Sequence, residues 1–113
     1  MSGLTTHVLD TAHGKPAAGM ALRLLRGTAL LANAVTNPDG RCDSPLLTAK
    51  TLQAGAYRLE FDVGVYYRGL GLDLANPAFL ETVVVEFGVE DPRAHYHVPL
   101  LVSPFGYSTY RGS

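Results

Sequence analysis

The segment Tyr57-Arg-Leu-Glu-Phe-Asp-Val63 alternates apolar with charged residues. This two-residue period is typical of a β-strand with one face buried and the other in water. The same period recurs over residues 20–25 and 83–87, where every second residue is apolar. These stretches therefore predict half-buried strands in three separate parts of the chain.

Further short apolar segments, separated by clusters of Gly, Pro, Asn and Asp, predict strands over residues 4–10, 30–36, 95–102 and 107–111. The pattern does not decide which face of the 30–36 strand is buried. The interrupted stretch 64–77 is compatible with one short helix. About eight strands in a chain of 113 residues indicate an all-β sandwich or barrel, and we expect one domain over residues 1–113.

Composition excludes several classes of partner. Nine basic and ten acidic residues leave the chain near neutral, without the clustered positive charge that nucleic acid binding requires. No segment has the roughly 20 consecutive apolar residues of a membrane span, and no signal peptide pattern is visible. The single Cys42 cannot form an internal disulfide, which is consistent with a reducing compartment. We expect a cytoplasmic protein with no nucleic acid or membrane partner.

The C-terminal part, His95-Tyr-His-Val-Pro-Leu-Leu-Val-Ser-Pro-Phe-Gly-Tyr-Ser-Thr-Tyr-Arg-Gly-Ser113, places two histidines two residues apart on a predicted strand. Both imidazoles therefore point to the same face of the sheet. The opposite face carries Tyr96, Val98 and further apolar side chains, and is the predicted core. We expect the histidine face to be turned to water in an isolated chain.

Four groups from separate parts of the chain could act on a polar substrate: His7, Arg41, His97 and the hydroxyl of Tyr110. Histidine titrates near neutral pH, so it can activate water and later return a proton. Arg41 follows the strong turn signal Asn-Pro-Asp-Gly, and its guanidinium can hold a planar amide and stabilise an oxyanion. The set suits opening of a polar ring by water.

Other chemistries have weaker support. The His-x-His spacing suits a metal site, but zinc requires three or four ligands, and the third would have to be His7 or a distant carboxylate. Arg41 could lower the pKa of the Cys42 thiol, yet a small packed thiol is the commoner role. Most single histidines on a sheet are simply surface or hydrogen-bonded residues. A flat sheet face also lacks a pocket, so we expect the histidine face to form a subunit interface.

The chain resembles the 5-hydroxyisourate hydrolases, the transthyretin-like enzymes of purine breakdown. The similarity lies in three stretches. They are Leu4-Thr-Thr-His-Val-Leu-Asp10 with the following Gly-Lys-Pro-Ala, the triplet Asp39-Gly-Arg41, and the C-terminal segment from His95 to Tyr-Arg-Gly-Ser113.

This resemblance implies a transthyretin-like (prealbumin) β-sandwich of two four-stranded sheets with one short helix. It also implies a homotetramer, a dimer of dimers with active sites at the subunit interface. The implied reaction is metal-independent hydrolysis of a cyclic amide C–N bond, which converts 5-hydroxyisourate to 2-oxo-4-hydroxy-4-carboxy-5-ureidoimidazoline in urate degradation, with no cofactor. The implied catalytic residues are His7, Arg41 and His97, and the implied substrate-binding residues are His7, Arg41, Tyr110 and Ser113.

Two questions stay open at this point. Which imidazole acts as the base does not follow from the sequence. The alternative function is a non-enzymatic, transthyretin-type carrier of a hydrophobic small ligand, since one fold can host either activity. The chemistry of the residues that line the site distinguishes the two.

Overall fold

The computed structural model describes residues 3–112 and contains nine strands, arranged in two sheets, and one short helix. The strands are β1 (Gly3–Asp10), β2 (Lys15–Pro16), β3 (Ala21–Arg26), β4 (Ala29–Val35), β5 (Leu47–Thr48), β6 (Gly55–Asp62), β7 (Thr82–Val89), β8 (His95–Ser103) and β9 (Gly106–Thr109). The helix α1 spans Val63–Gly69. The predicted all-β class, the main strands and the short helix are confirmed.

The first sheet has the order β2-β1-β8-β9, with β5 also paired to β1, and the second has the order β4-β3-β6-β7. The second sheet has the four expected strands. The first has five, because β5 adds a two-residue pairing at one end of β1. All these pairs are antiparallel except β1 with β8, which run parallel from Gly3↔His95 to Asp10↔Val102.

The core lies between the two sheets and follows the predicted alternation. In β6, the side chains of Tyr57, Leu59 and Phe61 are buried, and the charged residues between them are half-buried. Leu4, Val8 and Leu100 belong to the first sheet, and they join Leu22, Leu24, Leu59, Phe61 and Val83 of the second in one buried apolar cluster. Each sheet therefore has one apolar face against the other.

Helix α1 begins at Val63, one residue before the predicted stretch, and ends before Gly71, which has a positive φ of 86°. Two adjacent tyrosines of the helix, Tyr66 and Tyr67, donate hydrogen bonds from their hydroxyls to the buried carboxylate of Asp10 at 2.8 and 2.9 Å. These bonds fix the helix to the end of β1. No helix in the described residues is long and apolar enough to cross a membrane.

Candidate active site

Two histidines meet because β1 and β8 are adjacent and parallel. The register pairs Thr5 with His97 and His7 with Pro99, so His7 and His97 lie diagonally across the two strands. His7 Nδ1 and His97 Nε2 are 2.7 Å apart, within hydrogen-bond distance. Their rings are stacked, with centroids 4.8 Å apart. Residues separated by 90 positions in the chain thus form one imidazole pair.

The second ring nitrogen of His97 is also engaged. His97 Nδ1 lies 2.8 Å from the hydroxyl oxygen of Thr5, and the same oxygen lies 3.2 Å from His95 Nε2. Both nitrogens of His97 are therefore hydrogen-bonded within the protein. By contrast, His7 Nε2 has no hydrogen-bond partner among residues 3–112, so it is the nitrogen of the pair that remains available to a substrate or to water.

Arg41 reaches the histidine pair from a tight turn. Gly40 accepts a hydrogen bond from the Val8 amide at 2.8 Å, and its positive φ of 74° is a conformation that favours glycine. The Asn37 side chain stabilises the turn by accepting from the backbone amides of Asp39 and Arg41. Arg41 then makes an antiparallel bridge with His7, which places its side chain beside the imidazole.

The C-terminal segment closes over the other side of His97. The Gly112 amide donates to the His97 carbonyl at 2.7 Å. The Arg111 guanidinium lies 4.0 Å from the Tyr96 ring centroid in a cation–π contact and donates to the His95 carbonyl at 3.2 Å. As a result, only 7% of His97 is exposed. The expectation that the whole histidine face is turned to water is therefore wrong for His97.

These elements surround an open cleft of about 340 Å³, within the size range of small-molecule sites. It is lined by Thr5, His7, Arg41, His95, His97, Tyr110 and Gly112. The structure thus brings together four of the five predicted site residues, and the fifth, Ser113, lies outside the described residues. One chain therefore offers more than the flat sheet face that was expected, because residues of the Arg41 turn and the C-terminal segment line the cleft together with the sheet.

The electrostatics of the cleft favour neutral imidazoles. Burial, followed by the charge of Arg41, lowers the pKa of His7 below its usual value. Burial is also the largest cause of the lowered pKa of His97, with further contributions from His7, Arg41 and His95. Neutral histidine has a free lone pair on one nitrogen, so the cleft combines a potential proton acceptor with a permanent cation.

The structure also bears on the two weaker alternatives, a reactive thiolate at Cys42 and a metal site. Burial and the neighbouring Asp43 raise the pKa of the Cys42 thiol, so the effect anticipated from Arg41 is not the dominant one. No group of three or more His, Cys, Asp or Glu side chains in residues 3–112 is arranged to hold a metal ion.

Three lining residues were not among the predicted site residues, namely Thr5, His95 and Gly112. The alternation of β1 contained the signal for Thr5, because residues two apart on a strand share a face and Thr5 precedes His7 by two. His95 stood in the quoted motif, but its contact with Thr5 depends on the pairing of β1 with β8. Sequence spacing alone does not give that pairing.

Comparisons with known proteins identify the family of this chain. The model of the HIUase/Transthyretin family matches residues 4–112. A 5-hydroxyisourate hydrolase of Ralstonia nicotianae is 56% identical over the whole of both chains. Among solved structures, the 5-hydroxyisourate hydrolase of Klebsiella pneumoniae is 37% identical with a TM-score of 0.84, covering all of both chains.

A sea bream transthyretin in complex with thyroxine is 33% identical with a TM-score of 0.83, covering 96% of this chain and 93% of that one. Enzymes and a ligand-binding protein therefore share this fold. From the matched residues and the identities over full length, the chain belongs to the HIUase/Transthyretin family.

Proposed function

We propose that this protein hydrolyses 5-hydroxyisourate to 2-oxo-4-hydroxy-4-carboxy-5-ureidoimidazoline, acting as one domain over residues 1–113. The observation that carries the proposal is the cleft in which the His7–His97 pair, Arg41 and Tyr110 converge. The full-length relatives named 5-hydroxyisourate hydrolase supply the substrate class.

In the proposed reaction, His7 is the base, because its Nε2 is the imidazole nitrogen of the pair without a protein partner. Neutral His7 takes a proton from water, and the hydroxide attacks a ring carbonyl carbon of the substrate. Arg41 stabilises the oxyanion that forms. The C–N bond then breaks, the proton passes to the leaving nitrogen, and one water has been added across the bond.

His97 and Tyr110 have supporting roles in this proposal. His97 orients the base through the 2.7 Å contact with His7 Nδ1, because a hydrogen-bonded third group fixes the orientation of a catalytic base. Tyr110 borders the cleft with an exposed side chain and, with Ser113, is proposed to bind the substrate. The reaction is proposed to need no metal or cofactor, and the engagement of both His97 nitrogens supports this.

The carrier alternative is less well supported by the lining of the cleft. Every lining residue except Gly112 has a hydrogen-bonding side chain, whereas sites for small hydrophobic ligands are mainly apolar. The cleft therefore suits a small polar substrate. Binding of a hydrophobic ligand such as thyroxine, without hydrolysis of 5-hydroxyisourate, would favour the carrier.

A homotetramer, a dimer of dimers with the active site at the subunit interface, is part of the proposal. Its support is the topology: β9 and β7 end their sheets on the same side of the sandwich and border a recess lined by Val85, Phe87 and Tyr96. Unpaired edge strands readily pair with another chain. Light scattering after gel filtration measures the mass, and a monomer would contradict the tetramer.

The decisive experiment follows the ultraviolet absorbance of freshly made 5-hydroxyisourate with and without the protein. We expect acceleration by the wild type and loss of acceleration in Arg41→Ala. Arg93→Ala is the matched control, because the Arg93 side chain is 89% exposed and, within residues 3–112, pairs with Asp91 outside the cleft. If the wild type leaves the spontaneous decay unchanged, the proposed function is wrong.

A further inference from the structure

A continuous chain of hydrogen-bond contacts runs from the cleft into the sheet. It joins His7 Nδ1 to His97 Nε2 at 2.7 Å, His97 Nδ1 to Thr5 Oγ1 at 2.8 Å, and Thr5 Oγ1 to His95 Nε2 at 3.2 Å. The four side chains come from β1 and β8 only, and the parallel register holds Thr5 directly opposite His97. All four groups are therefore positioned by paired backbone.

Each of these three hydrogen-bond contacts holds one proton. The position of the proton in one contact therefore determines its position in the next. A hydroxyl has one proton to donate, and a neutral imidazole carries a proton on only one nitrogen. If Thr5 donates to His95, it accepts from His97 Nδ1, and His97 Nε2 accepts from His7 Nδ1. His7 Nε2 is then bare and can act as a base. If Thr5 instead donates to His97, every proton is reversed and His7 Nε2 carries a hydrogen.

His95, the last group of this hydrogen-bond chain, does not fix either arrangement of the protons. His95 Nδ1 is buried and has no hydrogen-bond partner among residues 3–112. A buried polar atom without a partner is uncommon and calls for an explanation. Here it means that no second contact determines which nitrogen of His95 carries the proton, so His95 can accept a proton at Nε2 or donate one from it.

We propose that Thr5 is a positioning residue which, together with His95, sets the proton arrangement of the His97–His7 pair. This inference rests on the proposed hydrolysis. It explains how one imidazole serves first as proton acceptor and then as proton donor while the paired side chains stay in place.

The proton transfers balance. When His7 Nε2 takes a proton from water, the Nδ1 proton of His7 moves to His97 Nε2, and the Nδ1 proton of His97 moves to Thr5. The original hydroxyl proton of Thr5 moves to His95 Nε2, so the positive charge passes from His7, beside Arg41, to His95. The reverse sequence delivers one proton from His7 Nε2 to the leaving nitrogen and restores the starting state.

Two substitutions at one position test the role of the hydroxyl. Thr5→Val keeps the shape of the side chain and removes the hydroxyl, whereas Thr5→Ser keeps the hydroxyl and is the matched control. We expect kcat to fall about tenfold to a hundredfold in Thr5→Val with KM little changed, the range for losing one hydrogen bond to a group that becomes charged. Thr5→Ser should retain most of the wild-type kcat.

Nitrogen-15 NMR of the imidazole rings gives a second measurement that needs no substrate, because the shifts report which nitrogen of His97 and of His7 is protonated. We expect Thr5→Val to change the tautomers of both rings and Thr5→Ser to leave them unchanged. The inference is overturned if Thr5→Val keeps the wild-type kcat, if both variants lose it equally, or if the ring shifts stay the same. Absence of hydrolysis by the wild type would instead overturn the proposed function.

Discussion

Replacing Gly112 with alanine tests whether hydrolysis depends on the placement of the His97 ring. A Cβ atom added at Gly112 would lie 2.7 Å from His97 Cδ2, about 0.8 Å closer than the usual contact between carbon atoms. The Gly112 amide is bonded to the His97 carbonyl, so the segment is held against this ring. The added methyl group must therefore displace either the ring or the segment.

The ring has little freedom to move, because its two nitrogens are bonded to Thr5 and to His7. A shift of about 0.8 Å would stretch the 2.7 Å contact with His7 beyond the usual hydrogen-bond limit of about 3.2 Å. Losing a hydrogen bond to a group that becomes charged costs about 1.5–3 kcal/mol. If that cost falls on the transition state, kcat drops about tenfold to a hundredfold.

The assay is the decay of 5-hydroxyisourate followed by absorbance, with the folded state checked by thermal unfolding. Gly106→Ala is the matched control, because an added Cβ there would meet only Ser103 Oγ at 3.9 Å. We expect Gly106→Ala to keep its activity. Wild-type kcat in Gly112→Ala would refute the expectation that the added methyl group disturbs the His97–His7 pair.

Three further predictions concern charge and burial. Because the pKa values of His7 and His97 are lowered, the midpoint of the decline of the wild-type rate towards acid pH should lie below about 6.5, the usual histidine value, after subtraction of spontaneous decay; a midpoint above about 6.5 would contradict neutral imidazole as the base. Arg41→Ala removes a charge that lowers the pKa of His7, so any residual activity should decline at higher pH than in the wild type. Asp10→Asn removes the charge of the buried carboxylate that accepts a hydrogen bond from the Tyr67 hydroxyl. Unfolding in urea should show a free energy of unfolding lower by roughly 2–3 kcal/mol, and activity at low temperature should be retained.

The sequence predicted strands best where side chains on the two faces differ strongly. In β6, large apolar residues alternate with charged ones, and the structure buries the set that was expected. In β4, the pattern left the faces undecided, and the structure explains why. Ala32 and Ala34 face the core with small side chains, while Leu31 and Val35 on the other face are exposed. Hydrophobicity alone then points to the wrong face of this edge strand.

Some features of the candidate site were likewise predicted from the sequence, and others were not. Residue types and their similarity to a family predicted His7, Arg41, His97 and Tyr110, and all four line one cleft. The burial of His97 was not predicted, since it depends on the C-terminal segment folding back to bond with the His97 carbonyl. Spacing along the chain carries no information about such a return.

Local chemistry, then, was determined by the sequence: which stretches are strands, where the chain turns before Arg41, and which residues can transfer protons. Tertiary structure alone decided that β1 lies parallel to β8. That pairing joins residues more than 90 positions apart and makes Thr5 the link between His95 and His97. The physical reason is that side-chain alternation follows from the geometry of a single strand, whereas the neighbour and register of a strand depend on how the whole chain buries its apolar faces.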